Sequence, residues 1–111
     1  MDLVNYLQEL QNQLNISVKS LRKTGSDYAK AYTEYRIALA EELVKLKDQG
    51  TPATLCGDLA RGKRDVAQKK FQEISTEAIY KANLESINAI KVQIKTIQAQ
   101  LDKEWCNDTP R

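Results

Sequence analysis

The residues of this chain best suited to chemistry lie between Arg61 and Lys70, where Arg61, Lys63, Arg64, Lys69 and Lys70 surround a single acid, Asp65. They fall where a long helix is predicted to begin, and cations there oppose the helix dipole by a few tenths of a kcal/mol each. Local helix stability therefore does not explain them. Free backbone N–H groups, Gly62 and the cations together suit an anion such as phosphate, or a binding partner. The ordinary alternative is solvation, or pairing with nearby acids such as Glu41, Glu42 or Asp58, which contributes little at a surface. No GxxxxGK[ST] phosphate loop is present. A helix-turn-helix over Thr54–Phe71 would set Lys63, Arg64, Gln68 and Lys69 toward a groove, but its spacing is imperfect and its second helix too long.

A second candidate is the stripe Tyr28, Tyr32 and Tyr35, with Arg36 beside it. Aromatic residues interleaved with cations can stack single-stranded bases. At helical spacing the same residues serve as core or interface contacts with their hydroxyls at the rim, and packing is the favoured reading. Trp105 fits either the cap of a hydrophobic seam or an exposed anchor for a partner. The carboxylates Glu41, Glu42, Glu73, Glu77 and Glu85 are expected to be solvated or salt-bridged.

Composition narrows the chemistry further. The 111 residues hold 17 Lys+Arg, 15 Asp+Glu and no histidine. Without histidine there is no Ser-His-Asp or Cys-His pair, no imidazole base and no zinc site of the usual kind. No metal and no cofactor are expected, and no catalytic constellation emerges. A net charge of +2 is too small by itself to imply nucleic acid. Apolar windows are short and broken by charge, so no membrane contact is expected. Met1-Asp2 lacks the start of a secretory signal, and Cys56 and Cys106 form no CxxC pair. A reducing cytoplasm with both thiols free is the expected setting.

The elements that position these residues follow from the glycines and prolines. Leu3, Leu7, Leu10, Leu14 and Leu21 form a seam with Ser17 in the open slot. Arg22, Lys23 and Gly25 supply a helix stop, and Ser26 or Asp27 a cap for the next helix. That second helix would bury Tyr28, Ala31, Tyr32, Tyr35, Leu39, Leu43 and Leu46, completing an N-terminal hairpin. Gly50-Thr51-Pro52 ends it and caps a short helix, Ala53–Ala60.

The last helix, from Lys63 to Trp105, carries the stripe Val66, Ala67, Phe71, Ile74 and Ala78. A second seam follows at Leu84, Ile87, Ile90, Ile94, Ile97 and Leu101. The expected fold is all-α, with a helical hairpin, a short connecting helix and one long C-terminal helix packed as an elongated bundle or coiled coil. One domain over 1–106 would hold helices at about 2–23, 26–48, 53–60 and 63–105, with a polar tail over 107–111. At 1.5 Å per residue the last helix would span about 65 Å and each hairpin helix about 33 Å. That mismatch predicts self-association, as a dimer or other homo-oligomer.

From the second helix onward the chain resembles small, uncharacterised helical proteins encoded by phages and prophages of Gram-positive bacteria. The resemblance rests on Tyr35-Arg36-Ile37-Ala38-Leu39-Ala40, Gly50-Thr51-Pro52-Ala53-Thr54 and Asp58-Leu59-Ala60-Arg61-Gly62. It continues through Phe71, Glu77-Ala78-Ile79-Tyr80-Lys81-Ala82, Glu85-Ser86-Ile87-Asn88, Lys91, Gln98-Ala99-Gln100-Leu101 and Glu104-Trp105. It implies an all-helical fold, the cytoplasm of an infected or lysogenic host, and a setting near recombination or single-strand-binding functions. It carries no catalytic residues. The expected function is non-enzymatic binding to a host or phage protein, inhibiting or modulating a host or anti-phage defence factor. The alternative is a nucleic-acid-binding accessory protein of a phage recombination or replication module.

Overall fold

The computed structural model describes residues 2–108. Three helices account for almost all of them: α1 (Leu3–Asp48), α2 (Ala53–Gly62) and α3 (Arg64–Asp108). No strand occurs among the described residues. The all-helical class, the short connecting helix and the long last helix therefore hold.

The N-terminal hairpin does not. Helix α1 runs unbroken through Gly25 for 46 residues, so Gly25 ends nothing and neither Ser26 nor Asp27 caps a helix. Two rows of inward-facing residues explain this. Leu3, Leu10, Ser17, Thr24, Ala31 and Ala38 repeat every seven residues, as do Leu7, Leu14, Leu21, Tyr28, Tyr35 and Glu42, and every one is buried or half-buried. Both rows cross Gly25 in phase. A mid-helix glycine costs about 1 kcal/mol relative to alanine, less than the seam would lose by breaking. Asp27 instead pairs across the glycine with Lys23 at 2.9 Å.

Gly25 has a packing role. A Cβ there would stand 3.2 Å from Cε1 of Tyr80, so the missing side chain admits that ring. The real break comes at Gly50, the one glycine with positive φ (82°) among the described residues. Its N–H donates to Lys47 O at 3.0 Å and that of Thr51 to Leu46 O at 3.0 Å, the paired bonds of a glycine-ended helix. Pro52 occupies the N-cap position of α2, one residue earlier than the first helical place expected for it. Thr51 provides no side-chain cap.

With α1 at 46 residues and α3 at 45, the length mismatch that predicted self-association disappears. The tail expected from Asn107 is helical through Asp108, and 109–111 lie outside the described residues. No helix among the described residues is long and apolar enough to cross a membrane.

The chain forms two compact units, each drawing on both long helices. One contains α1 up to Arg22 and α3 from Lys81. There Leu10, Ile87 and Ile90 are buried, and Asn83 Nδ2 donates to Ser17 O at 3.0 Å. The other spans Lys23–Tyr80 and centres on Tyr35, Leu39, Ala60 and Val66, with Ala38, Leu43 and Leu46 packed around them. Ala60 has no exposed surface, so α2 docks through its smallest face.

Candidate interaction surface

Every residue singled out between Tyr28 and Lys70 belongs to the Lys23–Tyr80 unit, where α1 and α3 run antiparallel. Four of the five cations meet carboxylates. Lys63 Nζ lies 2.8 Å from Oε2 of the nearly buried Glu42, and this hydrogen bond raises the lysine pKa above its ordinary value. Lys70 donates to Glu73 Oε2 at 3.0 Å, which also raises its pKa, and stands 4.7 Å over the Tyr35 ring. Lys69 reaches Glu34 at 3.5 Å, and Arg61 reaches Asp58 at 3.8 Å. Arg64 alone of the five has no ion-pair partner among the described residues. The basic run is thus largely neutralised by its own neighbours, including two of the acids named for that role.

The tyrosine stripe divides. Tyr35 is buried, Tyr28 half-buried and Tyr32 exposed, so Tyr32 leaves the expected core face. Tyr28 Oη donates to Glu77 Oε2 at 2.6 Å, and its ring stacks on Tyr80 with centroids 6.0 Å apart. The Glu77 hydrogen bond is the main cause of a Tyr28 pKa pushed up to about 12. Ionising the phenol would cancel the bond and set two negative charges together. Arg36 is exposed and has no ion pair among the described residues. Trp105 is 75% exposed.

The largest departure concerns the stripe expected to be buried on α3. Val66 is buried, but Ala67, Phe71, Ile74 and Ala78 are exposed, Phe71 by 66% and Ile74 by 56%. Facing α1 instead are Val66, Glu73 and Tyr80, the same seven-residue row that continues through Ile87, Ile94 and Leu101. A straight helix keeps one face inward, and the aliphatic seam near its C-terminus fixes which. At 100° per residue the 67/71/74/78 stripe stands roughly a quarter-turn or more from that face. Glu73 is consequently 7% exposed and not solvated, with Lys70 as its counter-charge.

Open cavities lie along this unit. One of about 620 Å³ is bordered by Asp65, Gln68, Lys69, Phe71 and Gln72. Another, of about 310 Å³, has Glu41, Glu42, Lys45, Lys63 and Asp65 among its walls. Its walls carry both acids and bases. No group of three or more Cys, Asp or Glu suited to a metal ion occurs among the described residues.

Sequence reasoning missed Glu73, Glu77 and Tyr80 as seam residues. The available signal was the spacing of seven that links Glu73 and Tyr80 to Ile87 and Glu77 to Leu84. No protein-family model, curated protein or solved structure matches the chain. The resemblance to phage-encoded proteins accordingly stands on its residue pattern alone.

Proposed function

We propose that this protein acts without catalysis, by docking the Lys23–Tyr80 unit onto another protein. One observation carries the reading: Phe71 and Ile74 stand exposed on adjacent turns of α3, between the small exposed residues Ala67 and Ala78. Single exposed apolar residues are ordinary, but four in a row at 4-3-4 spacing form a stripe. Covering a Phe or Ile side chain is worth about 1.5–3 kcal/mol, enough for two such residues to anchor an interface. The cations first considered for binding are mostly engaged, which favours this apolar stripe over the basic segment as the docking surface.

In the phage setting that the resemblance implies, the partner is a host or defence factor, inhibited or modulated by occlusion. The heptad rows support coiled-coil packing of α1 on α3 as the rigid platform for the stripe. Affinity capture from a Gram-positive bacterial lysate, comparing the wild type with Phe71→Ser/Ile74→Ser, tests the proposal. The double variant is expected to lose the captured protein while keeping its helical circular dichroism. Capture that is unchanged overturns the reading. Retention of single- or double-stranded DNA in a gel at low salt, released as salt rises, would favour the nucleic-acid alternative.

A further inference from the structure

Three contacts between α1 and α3 in the Lys23–Tyr80 unit fall at equal steps. Tyr28 meets Glu77 at 2.6 Å, Lys70 stands 4.7 Å over the Tyr35 ring, and Lys63 meets Glu42 at 2.8 Å. Each lies seven residues from the next on both helices, so the three are rungs of one antiparallel ladder. A slip that keeps the same faces together must therefore move by seven residues, about 10 Å.

The two directions of slip are not equivalent. In one, Tyr35 takes the place of Tyr28 at Glu77, and Glu42 meets Lys70. A phenol–carboxylate pair and a lysine–carboxylate pair are both re-formed. The opposite slip sets Tyr28 at Lys70 and Tyr35 at Lys63, and strips Glu77 and Glu42 of these partners. The ladder thus forbids one direction and allows the other. Tyr35 is already equipped for the allowed one. It is buried and serves Lys70 through its ring, which a phenylalanine could also do. Its hydroxyl makes no hydrogen bond among the described residues, whereas that of Tyr28 does. The aliphatic rows of the other unit also repeat every seven residues, so they re-form after the same step.

Two features hold the present alignment. The step would put Tyr32 where Gly25 now admits the Tyr80 ring. More important, Ala60 of α2 is buried in one cluster with Tyr35 and Leu39 of α1 and Val66 of α3, so neither long helix moves past the other without releasing it. By itself α2 is weak, with ten residues, Gly57 inside and no side-chain cap. Residues 49–63 are ample to follow a movement of about 10 Å. We infer that α2 is a latch on a two-position seam: while it is docked the alignment is single, and when it lifts, α1 steps seven residues along α3 and Tyr35 replaces Tyr28 at Glu77.

Glu34 and Lys69 adjoin in the present alignment, and Glu41 takes the place of Glu34 after the step. Glu34→Cys/Lys69→Cys and Glu41→Cys/Lys69→Cys are therefore made in the full chain with Cys56→Ser/Cys106→Ser, and treated with a short bifunctional thiol reagent. With α2 intact, the 34–69 link is expected to form at least about tenfold faster than the 41–69 link. Gly57→Pro breaks the α2 helix and Ala60→Arg overfills its docking face. Either should raise the 41–69 rate about tenfold and slow the 34–69 link. Adding Tyr35→Phe, which keeps a ring beneath Lys70 but removes the hydroxyl, should lower the 41–69 rate again. Alkylation of Cys56 in chains that retain it verifies that α2 is released, and circular dichroism that the long helices persist.

A 34–69 link unchanged by release of α2, or the loss of both links, overturns the inference. So does a 41–69 link that forms equally well with α2 docked. A 41–69 link that Tyr35→Phe leaves untouched defeats it as well, since the second position would then not rest on the ladder.

Discussion

The two compact units use the same helices and the same heptad spacing, yet their seams have different chemistry. In the unit that holds α1 up to Arg22 and α3 from Lys81, Leu10, Ile87 and Ile90 are buried, and Leu7, Leu14, Ile94, Ile97 and Leu101 line the seam half-buried. In the Lys23–Tyr80 unit the equivalent rows hold Tyr28, Tyr35, Glu73, Glu77 and Tyr80, tied by the Tyr28–Glu77 and Lys70–Glu73 hydrogen bonds. Aliphatic seams stabilise strongly but tolerate shifts in register, whereas a paired polar group penalises any register that leaves it unmatched. The first unit is therefore suited to holding two helices together. The second is suited to holding them in one alignment.

Truncation of the aliphatic seam should have the largest effect. Leu10→Ala is expected to cost about 2–4 kcal/mol in urea denaturation, because the cavity adds to the lost burial. Glu77→Gln, which removes the charge but keeps the size, should cost less; a larger loss than for Leu10→Ala would break the comparison.

The polar seam should show itself in alkaline titration. The folded-state Tyr28 pKa lies above its unfolded value, so its contribution to stability is present below pH 10 and lost as pH rises toward about 12. Ultraviolet titration of tyrosinate should find one of the five tyrosines ionising late, and Glu77→Gln should return it toward 10.0. A late tyrosine unmoved by Glu77→Gln would show that the hydrogen bond is not its cause.

The smallest effect, and the sharpest in sign, belongs to Gly25→Ala. Helix propensity favours alanine by about 1 kcal/mol. Against this, the new Cβ must displace the Tyr80 ring by a few tenths of an ångström. The ring is half-buried, and a shift of that size is small beside its 6.0 Å centroid separation from Tyr28, so a net gain of a few tenths of a kcal/mol is expected from thermal denaturation. A hairpin with Gly25 in the left-handed region would instead lose stability on the same substitution.

Much of the fold was legible, and the failures have physical causes. The leucine seam, the stop at Gly50 and the isoleucine seam were all visible because strong apolar periodicity coincided with clear punctuation. Gly25 misled because Arg22, Lys23, Gly25 and Asp27 match the chemistry of a helix end, while the rows of seven crossing them outweigh it. On α3 the apolar stripe 67/71/74/78 competed with the mixed row 66/73/80, and hydrophobicity alone selects the wrong one. What decides is helix continuity: a face set by Ile87, Ile90 and Ile94 carries back to Tyr80 and Glu73 whatever their polarity. The cations cluster where α2 meets α3, as their sequence positions require, but their ion pairs depend on α1 passing beside α3. The exposure of Phe71 and Ile74 could follow only from the corrected face.

Cys56 donates its thiol to Thr51 O at 3.6 Å and is buried where α2 begins, while Cys106 is exposed, and both are free. The molecule thus carries one accessible and one concealed thiol on the same chain. A bulky alkylating reagent should consume the first at once and reach the second only when α2 lifts from Tyr35, Leu39 and Val66. The delay between the two labels is then an internal clock, timed against its own reference, for how often the short helix lets go.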